Sequence, residues 1–216
     1  MLPIVRDGLV LEMHFNELSG STVYDLSGNN NHGTIYGATR VQEGFGRALL
    51  FDGVDDYVGI PNAPSLNPTN AITLAVWINQ GTGGSSYNIP VAKYLQYFIG
   101  GRHVTDGKAT FGLFFSDGSY YYLRSSSVLP TTWLNKWHFL VGVYDGSVMK
   151  LYIDGVLDNS YSISKTIRTT TNNAFIGTWG TSDWFNGTID EVLIYNRALS
   201  DDEIKAIYNY YMKKRM

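Results

Sequence analysis

His138-Phe139-Leu140-Val141-Gly142-Val143-Tyr144, then Asp145-Gly146-Ser147-Val148, then Met149-Lys150-Leu151-Tyr152-Ile153, closed by a second Asp154-Gly155, is the stretch that decides the fold class. Two apolar-rich runs of strand length flank a tight Asp-Gly turn, where Gly takes positive φ without steric cost. That is the signature of a β-hairpin. Working outward, period-two alternation marks further strands at 48–51, 57–60, 72–79, 97–99, 109–115, 120–125, 174–176 and 187–195. In Leu9-Val10-Leu11-Glu12-Met13-His14-Phe15-Asn16, the pattern puts Leu9, Leu11, Met13 and Phe15 on one face. It puts Glu12, His14 and Asn16 on the other. Asp52-Gly53, Asp106-Gly107, Asp117-Gly118 and Asn186-Gly187 supply the intervening turns. About a dozen short strands without helices between them read as an all-β sandwich or barrel.

Composition agrees. The 216 residues include 23 Gly and are 14% aromatic but only 16% charged, which argues against both disorder and a helix bundle. A chain of this length suits one large domain with a well-buried core, expected to span residues 1–216. The net charge of −3 leaves no electrostatic footprint for nucleic acid. Without Cys there are no disulfides, thiolate nucleophiles or thiolate metal sites. No apolar run approaches the ~20 residues of a membrane-spanning helix. The opening Met1-Leu2-Pro3-Ile4-Val5-Arg6-Asp7 lacks the basic start and apolar middle of a secretory signal. Residues 81–86, Gly-Thr-Gly-Gly-Ser-Ser, read as a loop rather than a linker.

One segment breaks the β pattern. Ser200-Asp201-Asp202-Glu203 is a capping box, with acids at the positive end of the helix dipole. Ile204, Ile207, Tyr208 and Tyr211 then recur at helical spacing. This predicts an amphipathic helix at about 200–213 packed on the sandwich, with Lys213-Lys214-Arg215 complementing its far end.

Four blocks carry a family resemblance: Val23-Tyr24-Asp25-Leu26-Ser27-Gly28-Asn29-Asn30-Asn31-His32-Gly33-Thr34; Phe51-Asp52-Gly53-Val54-Asp55-Asp56-Tyr57-Val58; Trp137-His138-Phe139 with Val143-Tyr144-Asp145-Gly146 and Leu151-Tyr152-Ile153-Asp154-Gly155; and Asn186-Gly187-Thr188-Ile189-Asp190-Glu191 through Ser200. In this order they resemble the laminin-G-like jelly-roll domains of the concanavalin A-like lectin and glucanase fold. The resemblance implies a two-sheet antiparallel jelly-roll sandwich, one sheet concave, with residues 12–16 beside the last strand. It further implies a carbohydrate- or protein-binding module of the kind attached to secreted enzymes, adhesins or surface proteins. Many members bind calcium.

Calcium needs six to eight hard oxygens. Candidates are Glu17 after the first strand, Asp25 in the Asn-rich loop, Asp52 in the Asp52/Asp55/Asp56 turn, and Asp190 in the last strand. Asn16 or Glu17 would approach Asp190 if the first and last strands pair. For Asp25 and Asp52 the alternative is an Asx-turn, in which the carboxylate bonds its own backbone two residues on. Asn16 stands where the family often carries Asp.

Sugar rings pack their C–H faces on aromatic side chains, and polar loops supply Trp179 and Trp184. Tyr120 and Tyr122 share one strand face, with Tyr121 opposed, and are candidates to pave a ligand surface. Arg102, in Gly100-Gly101-Arg102-His103, is a candidate polar contact, whereas Trp77 and Trp137 read as core. No same-face carboxylate pair of the glycosidase kind is visible, because adjacent Asp190 and Glu191 alternate on a regular strand. No Gly-x-Ser-x-Gly elbow or phosphate loop is present. The reading is a non-catalytic lectin-like module for a polysaccharide or glycoprotein glycan, with a structural calcium. The alternative is an assembly protein such as a virion coat, spike or surface-layer component. Extracellular, cell-surface or virion placement follows from the resemblance alone.

Overall fold

A computed structural model describes residues 5–214; the reading of residues 1–4 and the last residue of the basic tail lie outside them. The hairpin forms as expected, with Tyr144 opposite Met149 and Leu140 opposite Ile153. In chain order the first strands are β1 (Leu9–Met13), β2 (Thr22–Val23), β3 (Gly33–Tyr36), β4 (Thr39–Val41), β5 (Ala48–Asp52), β6 (Tyr57–Ile60) and β7 (Ile72–Gln80). Then come β8 (Val91–Lys93), β9 (Tyr97–Gly100), β10 (Thr110–Phe114) and β11 (Tyr120–Arg124). The last are β12 (Trp137–Tyr144), β13 (Val148–Ile153), β14 (Val156–Ser162), β15 (Ala174–Ile176) and β16 (Asn186–Tyr195), followed by helix α1 (Asp201–Lys214). Every predicted strand is there. The sequence reading missed β2, β3, β4, β8 and β14, which are short or, like β14, too exposed to alternate cleanly.

Two antiparallel sheets make the sandwich. The first runs β14-β13-β12-β7-β16-β5-β4, with β1 also on β16; the second runs β11-β10-β9-β8-β15-β6-β3-β2. Between them lies the main core, to which β7 gives Leu74, Val76 and Ile78 and β10 gives Phe111 and Leu113. The other parity of β7 would ordinarily be polar. Instead it is Ala75 and Trp77, because a second apolar layer covers that outer face. Trp77, Phe139, Val141, Leu193 and Tyr195 pack there against Ile204, Ile207 and Tyr211 of α1. Tyr208 stacks on Trp77 at 5.6 Å. Leu9 joins this outer layer rather than the Leu11–Met13 side, since a register irregularity between Leu9 and Leu11 resets the alternation.

The capping box forms as read: the Glu203 amide donates to Ser200 Oγ (3.2 Å) and the Ser200 amide to Glu203 Oε2 (2.8 Å). Arg197 adds a bidentate grip on Glu203 and, together with the cap, holds its carboxyl down at about 2. The helix is thereby fixed in register on the first sheet.

Candidate functional site

The two outer faces differ in chemistry. On the first sheet, β16 changes neighbour part-way: residues 186–189 pair with β5 and residues 192–195 with β1. At the changeover its register with β7 shifts, and Glu191 takes a φ of 54°. This bulge brings Glu191 to the same side as Asp190 and corrects the opposite-face reading, which assumed a regular strand. Glu191 accepts a hydrogen bond from the Tyr211 hydroxyl (2.7 Å) and pairs with His14 Nδ1. His14 Nε2 lies 3.0 Å from Glu12 Oε1, and Arg6 pairs with Glu12. Burial drags the His14 pKa down, but Glu12 and Glu191 outweigh it and lift it to about 10. Burial and the neighbouring Glu191 charge push Asp190 upward. Glu12, Asp190 and Glu191 are at most 1% exposed beneath α1. Glu191 anchors the helix through Tyr211, and none of the three presents a carboxylate to a solvent-borne sugar.

The four expected calcium ligands do not converge. Glu17 pairs with Arg40 (2.9 Å) and accepts the Tyr24 amide (2.8 Å). Asp25 accepts the amides of Glu12, Ser27 and Asn31, so the Asx-turn alternative holds there. Asp190 accepts the Phe45 amide (3.0 Å), while Asn16 accepts that of Arg47 (3.0 Å). Both therefore pin one loop rather than a metal. Asp52 alone sits in an acidic group: Asp52, Asp55 and Asp56 bring carboxylate oxygens within 4.8 Å of one another. Among the described residues no other group of three metal-ligating side chains is so close. Asp52 Oδ1 accepts the Val54 amide, so the Asx-turn alternative holds here too, and Asp56 Oδ2 accepts the Asp52 amide; one oxygen of each and both of Asp55 are left to face a cation. Burial and the charges of Asp52 and Asp55 raise the Asp56 pKa, the mark of a negative concentration that a hard cation would relieve.

The outer face of the second sheet carries aromatics instead. Strand parity sends Val58, Ile60, Ala174 and Ile176 inward. The opposite parity presents Tyr57 and Phe175 outward, their rings 6.0 Å apart. With Tyr94, Trp179 and Trp184 these two line an open depression of about 560 Å³, edged by Asn172 and Asn173. Both Trp residues predicted as ligand contacts are in it. Tyr120 and Tyr122 lie on the same face but beside the depression, with Tyr121 turned away to stack on Tyr161 at 4.0 Å. They connect to it through Phe98 and Phe114, whose rings lie 5.0 and 5.6 Å from Trp179. Gly112 makes this packing feasible, since a Cβ there would come 2.0 Å from the Phe98 ring. Arg102 is not part of the site. Its Nε donates to the Leu129 carbonyl (2.8 Å) and its backbone is tied to the Gln80 amide, so it braces loops. The sequence reading missed Tyr57, Phe175, Asn172 and Asn173. Parity with the core residues Val58 and Ile176 was the available signal for Tyr57 and Phe175.

Comparison with known proteins agrees with this architecture. The Laminin_G_3 family model, described as the concanavalin A-like lectin/glucanases superfamily, matches residues 52–205. Among solved structures the chain resembles the binding domain of Paraclostridial mosquitocidal protein 1, at 18% identity and a TM-score of 0.76 over 95% of this chain and 53% of that one. It resembles domain 4 of AbnA, a GH43 extracellular arabinanase from Geobacillus stearothermophilus solved with arabinotriose, at 21% identity and a TM-score of 0.74 over 93% and 98%. The receptor-binding domain of botulinum neurotoxin mosaic serotype C/D aligns at 18% identity and a TM-score of 0.75 over 95% and 51%. The chain thus spans about half the length of the toxin binding domains it matches. No curated protein matches. The neighbours are mainly binding domains, and a match from the last residue of β5 to the first turn of α1, on a two-sheet jelly-roll sandwich, places this chain in the laminin-G-like branch of the concanavalin A-like lectin/glucanase superfamily.

Proposed function

We propose that the protein is a non-catalytic glycan-binding module whose ligand lies on the outer face of the second sheet. One observation carries this reading: Tyr57, Tyr94, Phe175, Trp179 and Trp184 line a single open depression edged by two side-chain amides. Flat aromatic faces suit the C–H faces of pyranose and furanose rings, while Asn172 and Asn173 suit their hydroxyls. The arabinotriose-bound neighbour supports a saccharide as the ligand class, and the toxin neighbours support binding as the general role. A structural calcium belongs to the same reading. Asp52, Asp55 and Asp56 would hold it and so fix the turn that delivers Tyr57.

The test is a glycan array followed by isothermal titration of the hits, with and without chelator. Saturable binding to an oligosaccharide that Trp179→Ala weakens supports the proposal. Silence across neutral and acidic polysaccharides overturns it.

A further inference from the structure

Next to the aromatic depression lies a second, shallow cavity of about 690 Å³, and the two share Asn172. Behind its wall is Lys93, the last residue of β8, with no exposed surface. A fully buried lysine ordinarily faces a carboxylate. Lys93 does not. Its ammonium donates to Asn62 Oδ1 (2.5 Å), Asn67 Oδ1 (2.9 Å) and the Thr170 carbonyl (3.3 Å), all neutral oxygens that line the cavity. Among the described residues the only charged side chain lining it is Arg168, and no carboxylate lines it. Neither Lys93 nor Arg168 forms an ion pair with any described residue. Two cations, Arg168 in the wall of the concavity and Lys93 behind it, thus have no counter-charge among the described residues. Desolvation pulls the Lys93 pKa down only to about 8, which leaves it charged at neutral pH.

The hydrogen bonds also direct that charge outward. Asn62 Oδ1 accepts from both Lys93 and Asn67 Nδ2 (2.9 Å), whereas Asn62 Nδ2 has no acceptor among the described residues. An amide whose oxygen is held by an ammonium is a stronger donor at its nitrogen. The cavity therefore offers a polarised amide N–H group and a guanidinium, which match an oxyanion.

We propose that this cavity is an anion subsite that takes the carboxylate or sulfate group of an acidic oligosaccharide whose neutral rings rest on the adjoining aromatic floor. The inference rests on the glycan reading above and adds the charge of the ligand. Attraction at such a partly open site is screened by salt.

The experiment has two arms. In the first, inorganic sulfate and sodium glucuronate are titrated into the ¹⁵N-labelled protein while the amide resonances of Asn62, Asn67 and Thr170 are followed. Saturable shifts that disappear in Arg168→Gln are expected, and their relative strength says which oxyanion is preferred. Lys93→Met would strand three acceptors, so the partly exposed Arg168 is the decisive position. In the second arm, matched neutral and acidic oligosaccharides from the array are titrated. The acidic member should bind about tenfold tighter, and Arg168→Gln should erase that preference while neutral binding persists. Absence of saturable shifts, shifts unchanged in Arg168→Gln, or equal affinity for the matched pair each overturns the subsite. The glycan reading fails separately, if no oligosaccharide binds while sulfate still shifts those amides.

Discussion

The outer faces of the two sheets start from the same strand geometry and end as opposites. On the first sheet, Trp77, Phe139 and Tyr195 are sealed under Ile204, Ile207 and Tyr211 of α1. On the second, Tyr57, Phe175, Trp179 and Trp184 stay partly open, with no helix above them among the described residues. Aromatic area is therefore no guide to function by itself; what covers it decides. Where the chain supplies its own cover, the rings are core, and Glu191 beneath them ties the helix down through Tyr211. Where it supplies none, the rings stay open to solvent, and the glycan proposal rests on that openness.

Substitutions on either side can break or sharpen that contrast. Trp77→Ala removes the centre of the sealed layer and is expected to cost about 3–5 kcal/mol of stability by urea unfolding. A cost comparable to that of Trp179→Ala would mean that the helix-covered face is no more structural than the open one. The buried acid–histidine cluster comes next. Because the His14 pKa is raised in the folded state from 6.5 to about 10, its contribution is complete below pH 6.5 and is lost as pH rises through 10. Asp190, also raised, acts in the same sense above the ordinary carboxylate range. Stability should fall by about 2 kcal/mol across that alkaline window, allowing for solvent screening. Thermal melts of His14→Gln should show the window flattened.

On the open face, Trp179→Ala should weaken oligosaccharide binding by about 1–2 kcal/mol, a factor of roughly ten or more, as read by titration calorimetry. Ser200→Ala breaks one half of the capping box and should lower the unfolding free energy by about 1 kcal/mol without touching ligand affinity. Tyr120→Ala, at a position 62% exposed beside the depression, should change stability by less than about 0.5 kcal/mol. A large affinity loss there would extend the site along Phe98 and Phe114.

Much of this was legible beforehand, for reasons that differ by residue. Tyr120 and Tyr122 share a face opposite Tyr121 because a regular strand alternates strictly. Ser200 and Glu203 cap α1 because the box is a local contact needing no tertiary information. Trp179 and Trp184 line the open depression as their polar loop context suggested. The misreadings cluster where a strand stops being regular or a side chain finds a remote partner. Asp190 and Glu191 came to one side because of a bulge. Glu17 was taken by Arg40, and Arg102 by the Leu129 carbonyl, across separations that no local pattern encodes.

By itself the sequence determined the pleated strands, most of their turns, the capped helix and the family, since each is written in periodicity or short-range hydrogen bonding. The folded arrangement alone decided which aromatic face stays open, which acids are buried, and that Arg168 lines a concavity backed by Lys93 with no counter-charge among the described residues. Those outcomes depend on which distant segments become neighbours, and on where β16 exchanges one partner strand for another.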